Sequence, residues 1–94
     1  MSAKSVASKL ESLNTRLWQE AIRFEKMRGL VDDLCAKTEL INLKYDDNYP
    51  QRHAAQSRAE KKLRELSWGI SDIESKLQEH AWFIDGIVGD LQEI

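Results

Sequence analysis

Asp46-Asp47-Asn48-Tyr49-Pro50 marks the place where this chain must turn back on itself. Proline has no amide proton to donate, and its ring pushes the preceding residue out of the helical region. A helix arriving from the N-terminal side therefore ends at about Tyr45. Asn48 is a natural N-cap for a helix leaving toward the C-terminus, and Pro50 suits the first turn of that helix. Nothing comparable interrupts the chain elsewhere: 94 residues hold one proline and four glycines.

On both sides of this break, apolar residues recur in alternating steps of four and three. The first stripe is Val6, Leu10, Leu13, Leu17, Phe24, Met27, Val31, Leu34, Ile41 and Tyr45, with Glu20 and Thr38 as its polar members. The second is Ala59, Leu63, Leu66, Ile70, Ile73, Leu77, Ile84, Ile87, Leu91 and Ile94, with His80 as its polar member. This is the rhythm of a coiled-coil seam. It predicts an all-α, antiparallel two-helix hairpin forming one domain over residues 1–94. Helix 1 is expected over about residues 4–46, the turn over 46–50 and helix 2 over about 50–93. Each helix is then ~65 Å long at ~1.5 Å per residue. Ser2 or Ser5 is the expected cap of the first helix. Facing Val6 with Leu91, Leu13 with Ile84 and Val31 with Leu66 keeps a constant index sum, whose midpoint falls inside the break.

Charge supports the same topology. Residues 1–28 carry six Lys/Arg and three Asp/Glu, and residues 29–49 carry two and five. Residues 50–64 carry five and one, and residues 65–94 carry one and seven. Antiparallel pairing lays each basic block along an acidic one, whereas parallel pairing sets like against like. Single surface pairs contribute only about 0–1 kcal/mol, but blocks of this kind select orientation.

The composition excludes several classes of function. A net charge of −2 gives no electrostatic footprint for nucleic acid or an acidic membrane. The basic run Arg58, Lys61, Lys62, Arg64 is interrupted by Glu60 and Glu65 and has no interleaved aromatic, so it reads as a charge-paired solvated face. No segment approaches the ~20 apolar residues that span a bilayer, and the N-terminus lacks the apolar run of a signal peptide. A cytoplasmic location is expected, with a nuclear one or signal-independent export as alternatives. The lone Cys35 excludes an internal disulfide and any cysteine-built zinc site. His53 and His80, the two histidines, lie 27 positions apart, so no metal site or cofactor is expected. Cys35 has no histidine within reach and reads as a small, half-buried apolar filler rather than a nucleophile. Glu20 and His80 fall in adjacent seam layers and read as a polar layer that sets the register, with a pH-responsive pair as the alternative. No enzyme is indicated.

The aromatic residues off the seam carry the functional expectation. Trp18, Ile22, Trp68, Trp82, Phe83 and Val88 occupy positions that a two-helix hairpin should leave polar. Trp18, Ile22, Trp82 and Phe83 share one height and are expected to form a patch near the open end. Beside them the flanking positions Ala7, Asn14, Ala21, Cys35, Ser67 and Ala81 are small, which would let a further helix approach closely. The expectation is therefore a non-catalytic protein–protein interaction module. It would be a coiled-coil scaffold or assembly subunit acting by helix-face packing, completed as a four-helix bundle by a second copy or by a partner's helices. The alternative is a small helical inhibitor, adaptor or chaperone, phage-encoded or secretion-associated for example, that masks one partner protein.

Overall fold

The computed structural model describes residues 2–43 and 49–94. Tyr45 and the expected cap Asn48 lie outside the described residues. Two helices, α1 (Ala3–Glu39) and α2 (Tyr49–Gln92), form a rod with principal dimensions of 73 × 15 × 14 Å. Together they take more than four-fifths of the chain, and no strand occurs among the described residues. Inter-helix ties run Asn14–Asp85, Asp32–Ser67 and Glu39–Arg64, so numbering rises on α1 as it falls on α2. The helices are an antiparallel hairpin.

The helix ends follow from local chemistry. Ser2 is the cap of α1: its Oγ accepts from the amide of Ser5 at 3.1 Å. At the other end α1 stops at Glu39, seven residues before the expected boundary. The last amides tighten to three-residue spacing, Leu40 N–H donating to Lys37 and Ile41 N–H to Thr38. Gln56 of α2 then donates its side-chain amide to the carbonyls of Thr38 (2.6 Å) and Ile41 (3.2 Å). These are carbonyls that a continuing helix would consume itself. A single side chain from the partner helix thus caps α1, an event no local pattern around residue 40 discloses. Pro50 stands in the first turn of α2, where its missing N–H leaves no intrahelical bond unmade.

The packing face differs from the sequence expectation by one strip. Three strips of seven-residue period run along each helix. An inner strip, Leu10, Leu17, Phe24, Val31 and Thr38 on α1 with Leu63, Ile70, Leu77, Ile84 and Leu91 on α2, is half-buried or buried, as the seam reading requires. Its partner strip, however, is the small one. Ala7, Ala21 and Cys35 on α1 and Ser67, Glu74, Ala81 and Val88 on α2 are the buried residues of the hairpin, together with Ile84. Leu13, Met27 and Leu34, expected in the seam, are exposed by 41–53%, and so are Leu66 (51%) and Ile73 (43%).

The reason is geometric. Alanine, serine and cysteine at alternate places of this strip (Ala7, Ala21, Cys35; Ser67, Ala81) let two helix backbones come close together, and dispersion attraction rises steeply with proximity. The helices therefore roll toward their small strip and turn the large aliphatics aside. The close-packing helix anticipated for the small positions is the chain's own α2. Ala7, Ile84 and Val88 form the central cluster, with Leu10, Leu17 and Leu91 against it. Among the described residues no large side chain is fully buried.

Candidate interaction surface

The rolled hairpin has a closed side and an open side. On the closed side polar groups pair across the helices. Asn14 donates to Asp85 at 2.6 Å, Ser67 donates to Asp32 at 2.5 Å, and Arg64 donates to Glu39 at 3.0 Å. Arg28 Nε lies 2.8 Å from Glu74 Oε2, an ion pair whose N–H direction is not aligned as a hydrogen bond. The bond to Glu39 holds the Arg64 guanidinium above its ordinary pKa, and on α1 the Asp33 carboxylate does the same for Lys37. Cys35 Sγ sits 3.8 Å from the Glu60 carbonyl. The cysteine is a buried part of this side, flanked by backbone rather than by a base.

On the open side the third strip stands unpartnered. Leu13, Met27 and Leu34 of α1 lie beside Ile87, Ile73 and Leu66 of α2, level with one another through the register set by Asn14–Asp85 and Asp32–Ser67, which is shifted by about three residues from the expected pairing of Leu13 with Ile84 and Val31 with Leu66. Leu30 and Phe83, 65% and 70% exposed, widen this apolar face at its edges. Glu20 and His80, also level, interrupt the strip at mid-height; both face outward. Glu20 holds Arg23 of its own helix at 3.3 Å. The α1 edge of the face is basic (Lys9, Arg16, Arg23, Lys37), and the outer row of α2 is acidic (Glu65, Asp72, Glu79, Glu93).

The side chains singled out from sequence are dispersed by this arrangement. Val88 is buried between the helices against Ala7 and Ile84. Trp18 is half-buried and lies at the closed edge of α1, seven residues before Glu25 and fourteen before Asp32. Phe83 lies at the open edge of α2. Ile22 and Trp82 occupy the backs of their helices, opposite the inner strips, and Trp68 shares the back of α2. Equal height does not bring side chains together when they radiate from opposite sides of two cylinders, so Trp18, Ile22, Trp82 and Phe83 do not make one patch. The residues that do make one are those the seam reading places inside. The fourteen-residue recurrence of Ala7, Ala21, Cys35 and of Ser67, Ala81, on a seven-residue strip that also holds Asn14, Arg28 and Glu74, is the signal in the sequence that points to this arrangement.

Chemical groupings are sparse. Among the described residues no three His, Cys, Asp or Glu side chains are placed to hold a metal ion. No helix of the described residues is long and apolar enough to cross a membrane. A groove of about 540 Å³ at the open end is lined by Ala3, Lys4, Ala7, Ser8, Glu11, Leu91, Gln92 and Ile94. Compared with protein-family models, with curated proteins and with solved structures, the chain matches none.

Proposed function

We propose that the chain is a non-catalytic helical interaction module, a scaffold or assembly subunit, and that its contact surface is the open strip of the hairpin. One observation carries this reading. Leu13, Met27 and Leu34 on α1 and Leu66 and Ile73 on α2 stand on one side in a seven-residue rhythm broken only by Glu20 and His80, and remain 41–53% exposed while small residues fill the interior. Contiguous exposed apolar surface of this kind is costly in a lone soluble protein and ordinarily marks a contact. A layer of helices laid over Leu13, Met27, Leu34, Leu66, Ile73 and Ile87 would complete a four-helix bundle, with the inner strips becoming its central core. Leu30 and Phe83 would lie at the rim of that contact.

The test compares two pairs of substitutions in the complexes the chain forms, followed by light scattering and circular dichroism. Leu13→Lys with Ile73→Lys should dissociate them while leaving helicity in place. Trp18→Lys with Trp82→Lys should leave their mass unchanged. The reverse pattern, or complexes indifferent to both pairs, would overturn the reading.

A further inference from the structure

Deepening the interaction reading above, on which it rests, we infer that the open face is covered by helices of another protein, bordered by acidic residues at seven-residue steps. Charge selects this occupant, and the rhythm of the face selects its form.

The open face is cationic on both borders. The row beside it on α1 is Lys9, Arg16, Arg23, Leu30 and Lys37, and the row beside it on α2 is Lys62, Gly69, Lys76, Phe83 and Asp90. The chain holds fourteen Lys/Arg and sixteen Asp/Glu; the two open strips and these two rows hold six and two of them, which leaves eight and fourteen elsewhere. A faintly acidic chain thus turns a basic frame toward its exposed leucines. All six cations are exposed. Arg23, Lys37 and Lys76 touch acids of their own helices, in exposed pairs that hold loosely. Lys9, Arg16 and Lys62 make no ion pair among the described residues. The closed edge is different, because Asp32 and Glu39 of α1 meet Ser67 and Arg64 within the hairpin. The acidic row Glu65, Asp72, Glu79 and Glu93 lies behind the α2 border and points away from an occupant.

This frame disfavours a second copy. Two open faces laid together in either direction bring one set of basic borders against another, with Asp90 as the single acid among them. Like charges set across a contact suppress that pairing, and opposite charges promote it.

The rhythm favours helices over a lipid surface. Leu13, Met27 and Leu34 and their neighbours Leu66, Ile73 and Ile87 keep a period of seven, and Lys9, Arg16 and Arg23 keep it beside them. Packed helices interlock on such strips and choose partners by the charges at their borders. An anionic bilayer needs no such period, and it draws tryptophan toward its interface. Here Trp18 lies at the closed edge, Trp68 and Trp82 lie on the back of α2, and Glu20 and His80 stand where acyl chains would have to pack.

Two synthetic peptides of about four heptads, with one Leu/Ile seam and either Glu or Lys at the bordering positions, test the inference. Like charges keep each peptide from pairing with itself. Titrated with the native chain and followed by fluorescence anisotropy, the Glu peptide should bind about tenfold or more tighter than the Lys peptide, and added salt should shrink the difference. Arg16→Glu with Lys62→Glu should retain helicity by circular dichroism and reverse the preference. Equal affinities, no binding of either peptide, or a preference unmoved by Arg16→Glu with Lys62→Glu would overturn the inference. So would co-sedimentation of the chain with vesicles of equal parts phosphatidylcholine and phosphatidylserine in place of peptide binding, or a salt-indifferent dimer of the chain that shuts the peptides out. Equal affinities that Leu13→Lys with Ile73→Lys abolishes would remove the acidic occupant and leave the open face standing. Binding that survives Leu13→Lys with Ile73→Lys would remove the open face itself, so the two readings fail separately.

Discussion

The two sides of this hairpin are built from different residues and obey different rules. The closed side is small and polar: Ala7, Ala21, Cys35, Ser67 and Ala81 bring the helices together, and Asn14–Asp85, Ser67–Asp32 and Arg28–Glu74 bind them. The open side is large and apolar, yet Leu13, Leu34 and Leu66 are about half exposed. Apolar content alone would assign the interior to the leucines. Close approach assigns it to the alanines, because an interior is judged by how many atoms it brings into contact rather than by the size of each side chain. This chain thus separates the task of folding back on itself from the task of offering a surface.

The contrast between the sides should be largest at Ile84. Ile84→Ala should destabilise the hairpin by about 2–4 kcal/mol, the range for truncating a buried aliphatic, whereas Leu34→Ala in the monomer should cost about 1 kcal/mol or less because half of that side chain is already in water. Urea denaturation at low protein concentration measures both. Equal losses at the two sites would erase the distinction between the sides.

Ala81, fully buried, tests the close-approach argument itself. Ala81→Leu adds apolar area but has no space to occupy, and should cost about 1–3 kcal/mol through overpacking. A neutral or stabilising result in the same denaturation assay would show that the helices are not held at the distance the small strip sets.

The glycines give the smallest expected effect. A Cβ added at Gly86 or Gly89 meets nothing within 4 Å, and neither residue has a positive φ. Gly86→Ala and Gly89→Ala should each stabilise α2 by about 0.5–1 kcal/mol through reduced backbone entropy of the unfolded chain. A fall in the thermal midpoint at either site would point to a neighbour on the back of α2 that the isolated hairpin lacks.

Much of this was legible in the sequence. The break at Pro50, the antiparallel charge blocks and the inner strip from Leu10 to Val31 and from Leu63 to Leu91 are written in local and periodic terms. The choice between the two strips that could accompany the inner one was not. The strip through Leu13, Met27 and Leu34 and the strip through Ala7, Ala21 and Cys35 share the same seven-residue period, and a hydrophobicity ranking favours the leucines. What decides is the depth to which α2 can sink against α1, a property of both helices at once. The capping of α1 by Gln56 was hidden for the same reason, since its donor comes from the other helix.

Adjacent positions 34 and 35 lie on opposite sides of this divide, and their thiol reactivity puts it to a single test. Cys35 is 8% exposed on the closed side, and Leu34 is 53% exposed on the open side. In dilute solution, the thiol of Cys35 in the native chain should be alkylated slowly. In the Leu34→Cys, Cys35→Ala variant the thiol at position 34 should react rapidly, and slow down as a partner covers the open face. A fast Cys35 beside a protected position 34 in the monomer would contradict the account, placing the leucines inside and the alanines out.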